Sequence, residues 1–193
     1  MNRWWQADDD ERYWLEATDR EDIGVDLKAP DTDGGGHENW RYTLFKEAQP
    51  GDVVLHYDKR AATNGIVGWS FVSGPWRSAP IVWAARGSYA REKRTQPHER
   101  PGFVVPLQDF QSLARPITLK RIRNHRNELH AIVEQHKRIY DEDALYFPFE
   151  LSDKRPIRLL QGYAFKLPRA FLGLFPELAM LSDEASSADH ASR

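Results

Sequence analysis

Two neighbouring runs of sequence carry the clearest signal for the fold: Asp52-Val-Val-Leu-His-Tyr57 and Ile66-Val-Gly-Trp-Ser-Phe-Val72. Both are rich in β-branched and aromatic residues, which is typical of strands. The dipeptide Asn64-Gly65 stands directly before the second run and favours a hairpin-type turn. We therefore predict two adjacent strands that are joined through this turn.

Outward from this pair, the sequence predicts further strands at residues 12–17, 102–107, 117–119 and 157–165, and a short apolar patch at 81–84. The clearest helix covers residues 120–140, because its apolar side chains recur at helical spacing and form one stripe. Shorter helices are predicted at residues 39–48 and 168–181. About six strands with a few inserted helices indicate a compact α+β barrel rather than alternating βαβ units.

The composition is that of a folded domain. The chain has 193 residues, 40% of them hydrophobic and 29% charged, which is enough to bury a core and excludes disorder of the whole chain. The absence of cysteine excludes a disulfide scaffold, a cysteine zinc site and a cysteine nucleophile. The sequence has neither a signal peptide nor an apolar run long enough to span a membrane, so we expect a cytoplasmic protein without a membrane partner.

Composition also predicts the boundaries along the chain. Residues 1–11 are acidic towards their end and are predicted to be a leader, which contains Trp4 and Trp5. Residues 12–181 are predicted to form one domain. Residues 182–193 are small and polar, and we expect a disordered tail or the start of a linker.

Charges are distributed unevenly along the chain, although the formal net charge is only −2. Residues 1–40 contain 4 Lys or Arg and 12 Asp or Glu, a net of −8. Residues 86–126 contain 10 Lys or Arg and 3 Asp or Glu, a net of +7. A basic block of this size can attract polyanions, but on its own a charge run is better explained by a solvated loop and a surface helix.

No catalytic or metal-binding motif is present in the sequence. His125, His130 and His136 are five and six residues apart, and this spacing does not place neighbouring side chains on one helical face. We interpret His125 and His136 as core or boundary residues on the apolar stripe. The sequence therefore predicts a binding domain with no catalytic residue, no metal site and no cofactor.

The seven tryptophans are the most informative residues for binding. Trp14 and Trp69 fit core positions in strands, whereas Trp40 and Trp83 lie at the margins of loops, where binding residues are common. Two facing indoles form a slot for a planar or methylated ring. An extruded nucleobase is the commonest planar ligand that also requires a basic rim.

The order of several motifs resembles the EVE domain, a member of the PUA superfamily related to the YTH readers of N6-methyladenine. The first four motifs are Arg12-Tyr-Trp-Leu15, Asn39-Trp-Arg41, Gly51-Asp-Val-Val-Leu-His-Tyr57 and Gly65-Ile-Val-Gly68. Ser78-Ala-Pro-Ile-Val-Trp83 resembles the segment that carries the second cage tryptophan of YTH domains, and Trp40 stands at the place of the first. Arg115-Pro-Ile-Thr-Leu119 is similar to the EVE strand-to-helix segment, and Lys154-Arg-Pro-Ile-Arg-Leu-Leu-Gln-Gly162 to the closing strand.

This resemblance implies a PUA-like, EVE-like β-barrel of about six strands, closed or nearly closed, with peripheral helices. It implies a base-binding site formed by Trp40, Trp83, Asn39, Arg41, Thr18, Asp19, Tyr57 and Trp69. The last two residues are expected at the floor of the pocket. The candidates for contacts to the nucleic-acid backbone are Arg86, Arg91, Lys93, Arg94, Arg100, Lys120, Arg121, Arg123, Lys154, Arg155 and Arg158.

The function that follows is recognition of double-stranded DNA carrying a modified base, which is flipped into the aromatic cage. The base could be 5-methylcytosine, 5-hydroxymethylcytosine or N6-methyladenine. The long insertion before Trp40 and the long helix resemble specificity modules of modification-dependent restriction systems, in which a fused or separate HNH or McrB-type effector supplies the enzymatic activity. The alternatives are a PUA-like RNA-binding module and an ASCH-type domain acting on modified nucleosides.

Overall fold

The computed structural model describes residues 3–83, 97–141 and 144–181. Its strands are β1 (Tyr13–Thr18), β2 (Asp26–Pro30), β3 (Val53–Asp58), β4 (Gly65–Val72), β5 (Arg77–Trp83), β6 (His98–Thr118), β7 (Phe149–Ser152), β8 (Arg155–Leu159) and β9 (Ala164–Leu167). The α-helices are α1 (Trp40–Thr43), α2 (Leu119–Asn124) and α3 (Arg126–Tyr140), and residues 176–181 are helical as well. Trp4–Ala7, Leu44–Glu47 and Arg169–Leu174 form 3₁₀ turns.

Seven of these strands form one curled sheet in the order β2-β6-β4-β3-β1-β9, with β5 also paired to β6. The pair β1–β3 is parallel, and the other ladders of this sheet are antiparallel. The sheet curls because β6 pairs through its first half with β2 and β5 and through its second half with β4, with shifts of register along the β4 ladder.

The prediction of a mixed α+β fold with about six strands is confirmed, but the prediction of a closed or nearly closed barrel is wrong. Between β2 and β9, the two ends of the strand order, the described residues form no backbone ladder. Instead, one side-chain hydrogen bond connects the two ends. The backbone N–H of Lys28 on β2 donates to the hydroxyl of Tyr163, the residue before β9, at 3.1 Å. The sheet is therefore a half-barrel.

Three other predictions of local structure needed correction. Residues 102–107 and 117–118 belong to one strand, because β6 stays paired to β4 through the residues between them, and Leu119 begins α2. The segment 157–165 contains two strands, β8 and β9, which belong to different sheets. The helix predicted at 120–140 is divided at His125, which has φ −99° and ψ 30°, so that α2 and α3 are separate.

The N-terminal residues pack into the same hydrophobic core as the sheet. Trp4 and Trp5 retain only 4% and 7% of their exposure, and the Trp4 indole donates to the carbonyl oxygen of Leu145 at 3.3 Å. The division of the chain at residue 12 stays a prediction. The predicted tail at 182–193 lies outside the described residues. Along the described part of the chain, no helix is long and apolar enough to cross a membrane.

Candidate nucleic-acid interface

The ends of four adjacent strands bring together residues that are far apart in the sequence. The register places Thr18, Asp58, Gly65 and Thr118 opposite one another on β1, β3, β4 and β6. Neighbouring strands are about 4.8 Å apart, so the row is about 15 Å long. Helix α2 begins at the end of this row, capped by the Thr118 hydroxyl, which accepts from the backbone N–H of Arg121 at 3.3 Å. Lys120 therefore lies at the same end of these strands as Thr18.

Trp83 ends β5 and is half-buried in an aromatic cluster. Its ring centroid lies 5.8 Å from that of Tyr42 and 5.4 Å from that of Tyr163, with interplanar angles of 81° and 82°. Both contacts are edge-to-face, which is a favourable arrangement of aromatic rings. We call Tyr42, Trp83 and Tyr163 the aromatic cluster.

Trp40, the other predicted wall, lies in different surroundings. Its ring packs against Tyr146 at 4.9 Å and Phe165 at 6.4 Å, and the Arg41 guanidinium lies 4.9 Å from its centroid. Trp40 and Trp83 share no ring contact. Since side chains two residues apart leave a helix in nearly opposite directions, Trp40 and the Trp83 partner Tyr42 extend from different sides of α1. That the two indoles face each other stays a prediction.

The polar groups that were expected to bind the base edge have local partners. The Asn39 side chain accepts from the backbone N–H of Arg41 at 3.1 Å and caps α1. Thr18 is buried, and its hydroxyl accepts from the backbone N–H of Arg20 at 3.2 Å. Asp19 is half-buried, whereas Arg41 is exposed. Among these four residues, Arg41 has the greatest freedom to reach a ligand.

Tyr57 and Trp69 are separated from the aromatic cluster. Tyr57 is fully buried, its hydroxyl donates to the Asn64 side chain at 2.7 Å, and burial raises its pKa to about 12. Trp69 pairs in register with Leu55, whereas Ser70 lies on the opposite face of β4, because successive side chains alternate across a strand. Neither residue makes a ring contact with Trp40 or Trp83.

The structure divides the described phosphate-binding candidates into two groups, and in the first group, which includes Arg123, the side chain is engaged within the protein. Arg100 donates to the backbone carbonyls of Thr32 and Asp33 at 2.8 and 3.2 Å. Arg121 forms a two-fold ion pair with Glu177 at 2.7 and 3.1 Å, and Arg158 pairs with Glu150. These contacts explain the positions of the three arginines without a ligand.

In the second group, the side chains of Lys120, Lys154 and Arg155 are exposed and make no hydrogen bond or ion pair to the rest of the described chain. The turn that carries Lys154 and Arg155 is held by two arginines. Arg126 donates to the carbonyls of Ser152 and Arg155, and Arg123 donates to that of Ile157 at 2.8 Å. We call Lys120, Arg123, Arg126, Lys154 and Arg155 the basic surface. The other loop candidates, Arg86, Arg91, Lys93 and Arg94, lie outside the described residues.

Comparison with known proteins identifies the family. The family model that describes the EVE domain matches residues 12–140. The chain belongs to the EVE family. A solved structure, the N-terminal domain of Staphylothermus marinus McrB, is similar with a TM-score of 0.37 and 16% identity, over 59% of this chain and 80% of that chain. Among the curated proteins, no match was found.

Two residues of the aromatic cluster in this EVE domain were missed by sequence reasoning. Tyr42 was hidden inside a predicted helix, and Tyr163 inside a single predicted strand. Tyr163 is buried, and burial, together with the charge of Glu16, raises its pKa well above 10, so the hydroxyl keeps its proton. The dipeptide Gln161-Gly162, which lies between β8 and β9, was the sequence signal that could have indicated a break in the strand before Tyr163. Within the described ranges, the EVE domain gathers no group of three His, Asp or Glu side chains of the kind that holds a metal ion.

Proposed function

We propose that this EVE domain binds double-stranded DNA carrying a modified base, and that the base is extruded from the duplex and stacks against Trp83. The observation that carries the proposal is the position of Trp83. Its half-buried indole is packed edge-to-face by Tyr42 and Tyr163. The backbone of Tyr163 is hydrogen-bonded to β1 next to Thr18, because the Ala17 N–H donates to the Tyr163 carbonyl at 2.9 Å. Trp83 is thereby connected to the row of strand ends that runs from Thr18 to Lys120. Membership of the EVE family supports the same proposal.

The energetics require both an aromatic site and a basic surface. Unstacking and unpairing a base costs a few kcal/mol. Stacking on an aromatic side chain returns about 1–3 kcal/mol per base. Phosphate contacts must supply the remainder, and Lys120, Lys154 and Arg155 are available for them because no other residue of the described ranges engages their charges.

A methyl group on the base adds apolar area worth about 0.8 kcal/mol when it is buried. This corresponds to roughly fourfold discrimination against the unmodified base, and closer packing in the pocket would increase it. Trp40 is the second wall of the proposed cage, with Asn39, Arg41, Thr18 and Asp19 at the base edge. Of these, exposed Arg41 contributes most readily.

In a modification-dependent restriction system, this domain would act as the specificity module. It would bring a nuclease or a motor, carried by a separate domain or partner, to modified DNA. Binding and effector recruitment are distinct steps, so binding can be tested with the domain alone.

The test is a titration of matched duplexes that contain 5-methylcytosine, 5-hydroxymethylcytosine, N6-methyladenine or no modification, at one salt concentration. We expect tighter binding of one modified duplex, and loss of that preference in Trp83→Ala. Trp76→Ala is the control, because Trp76 is 40% exposed and contacts Lys46 and Phe103 rather than the aromatic cluster. Equal affinity for all four duplexes contradicts the proposal, as does tighter binding of RNA of the same sequence.

A further inference from the structure

The interior of the curled sheet contains a chain of polar side chains contributed by β1, β3 and β4. The His56 ring contacts the Glu16 carboxylate through Nδ1 at 2.7 Å and the Ser70 hydroxyl through Nε2 at 2.9 Å. All three side chains are fully buried. Buried polar groups cost free energy even when they are paired, and apolar side chains can fill such a space with equal or greater stability. Stability alone therefore does not account for this series of hydrogen-bonded polar side chains.

The same residue types act as nucleophile, base and orienting acid in hydrolases. Here the Ser70 hydroxyl has no exposed surface, and the ring of Phe110 packs edge-on against His56, with the ring centroids 5.7 Å apart. The series of hydrogen bonds is therefore shielded from solvent at Ser70, and it continues only in the other direction, through Glu16.

At the other end, the second carboxylate oxygen of Glu16 accepts from the Tyr163 hydroxyl at 2.7 Å. The same hydroxyl accepts from the backbone N–H of Lys28 at 3.1 Å and from the Arg20 guanidinium at 3.4 Å. Three groups from three parts of the chain thus determine where the phenol oxygen lies. A ring whose hydroxyl is fixed in this way has little freedom to shift within its plane or to tilt.

The Tyr163 ring transmits this constraint to the aromatic cluster. One contact is with fully buried Phe45, at 5.5 Å and 89°, and another is with half-buried Trp83, at 5.4 Å and 82°. Edge-to-face packing is directional, so the orientation of Trp83 depends on that of Tyr163.

We propose that Tyr163 is a positioning residue for Trp83, and that the Glu16–His56–Ser70 chain serves to hold Tyr163. The inference rests on the proposed function, because it makes Trp83 the surface on which the modified base stacks. It assigns the buried polar chain to base discrimination rather than to overall affinity. A small displacement of Trp83 removes the close fit around the modified group and leaves the phosphate contacts unchanged.

The first experiment measures the affinity ratio between modified and unmodified duplexes for Tyr163→Phe, which removes one oxygen and keeps the ring. We expect the ratio to fall at least threefold, with affinity for the unmodified duplex within twofold of the wild type. Tyr13→Phe is the matched control. It also removes a buried hydroxyl, one that donates to the Leu181 carbonyl at 3.2 Å, but the ring contacts of Trp83 are with Tyr42 and Tyr163 and not with Tyr13. Equal loss in both variants would overturn the inference.

The second experiment needs no DNA. The protein is labelled with 5-fluorotryptophan, and the Trp83 resonance is assigned by Trp83→Phe. We expect this resonance to shift or broaden in Tyr163→Phe and Glu16→Leu, and to remain near its wild-type position in Tyr13→Phe. Glu16→Gln should restore it, because the amide oxygen still accepts from Tyr163 and the amide N–H can donate to His56.

An unchanged Trp83 resonance in Tyr163→Phe and Glu16→Leu would overturn the inference. If the wild-type domain binds all duplexes equally, the proposed function fails. The fluorine spectra then still show whether Tyr163 positions Trp83, so the two failures are distinguishable.

Discussion

At the scale of single residues, the most unusual group is Lys166 on β9. Its side chain is fully buried, and its ammonium donates to the carbonyl oxygen of Tyr13 at 2.8 Å. The centroids of Trp14, Trp4 and Trp5 lie 4.8, 5.3 and 6.0 Å from Nζ. Three of the seven tryptophans therefore surround one lysine, where indole faces favour a cation.

Burial lowers the pKa of Lys166 from 10.5 to about 7, against the opposing charges of Glu11 and Asp52. Between these values, the unfolded chain binds more protons than the folded chain, so the contribution of Lys166 to the free energy of unfolding rises with pH. We expect wild-type stability to rise relative to Lys166→Met between pH 7 and 9, by at most about 1.4 kcal/mol per pH unit. Urea unfolding at several pH values measures this, and parallel profiles would contradict the assignment.

His136 shows the opposite dependence on pH. Its ring contacts the Glu11 carboxylate at 3.0 Å and the Ile132 carbonyl at 2.9 Å. Burial disfavours the charged ring, but the hydrogen bond and the charge of Glu11 outweigh it and raise the pKa. The stabilisation is complete below the unfolded pKa of about 6.5 and is lost as the pH rises through the folded value.

We therefore expect Glu11→Gln to lower the free energy of unfolding by about 1.5–3 kcal/mol at pH 5.5, which is typical of a hydrogen bond to a charged group. The difference from the wild type should shrink as the pH rises above 7. Chemical denaturation at both pH values tests this, and a difference that does not change with pH would show that His136 stays neutral.

At the scale of elements, the N-terminal turn Trp4–Ala7 connects the core to a predicted wall of the base site. Arg3 pairs with Glu47 at 2.9 Å, and the Trp5 ring lies 6.1 Å from that of Tyr146, which in turn packs on Trp40. The turn is therefore an integral part of the packed structure.

Truncating a buried tryptophan costs about 3–5 kcal/mol, whereas truncating an exposed side chain costs about 0.5 kcal/mol. We expect Trp5→Ala to fall in the first range and Trp76→Ala to remain within about 1 kcal/mol of the wild type. Urea titration followed by circular dichroism compares them. Similar losses in both variants would mean that the N-terminal turn does not pack as described.

At the scale of the whole molecule, charge is arranged so that a nearly neutral protein presents a basic surface. Acidic residues neutralise several arginines, such as Arg121 with Glu177, whereas Lys120, Lys154 and Arg155 remain exposed. Net charge therefore says little about the affinity of this protein for polyanions.

Salt dependence of DNA binding tests this arrangement. Each phosphate contact contributes about 0.9 to the slope of log affinity against log salt. We expect Lys120→Ala to lower the slope by about one unit and to weaken modified and unmodified duplexes equally. Arg121→Ala, one residue away on α2, removes a charge that is already paired and should leave the slope nearly unchanged. Equal slopes in the two variants would place the DNA elsewhere.

The linear pattern alone was sufficient for the family, the α+β class and the central strands, because hydrophobic alternation and turn residues are local properties of the chain. That Trp83 and the basic block bind nucleic acid stays a prediction. Which arginines remain free depended on partners such as Glu177 and Thr32, which are 56 and 68 residues away in the sequence.

The open edge of the half-barrel, the place of Trp4 and Trp5 in the core, and the chain from Ser70 to Tyr163 were all set by tertiary structure. Glu16, His56 and Ser70 are unremarkable in the sequence, and only the register of β1, β3 and β4 brings them onto one face. A hydrogen bond between residues 147 positions apart, such as that between Tyr163 and Glu16, has no local signature, because it exists only once the strands between them have paired.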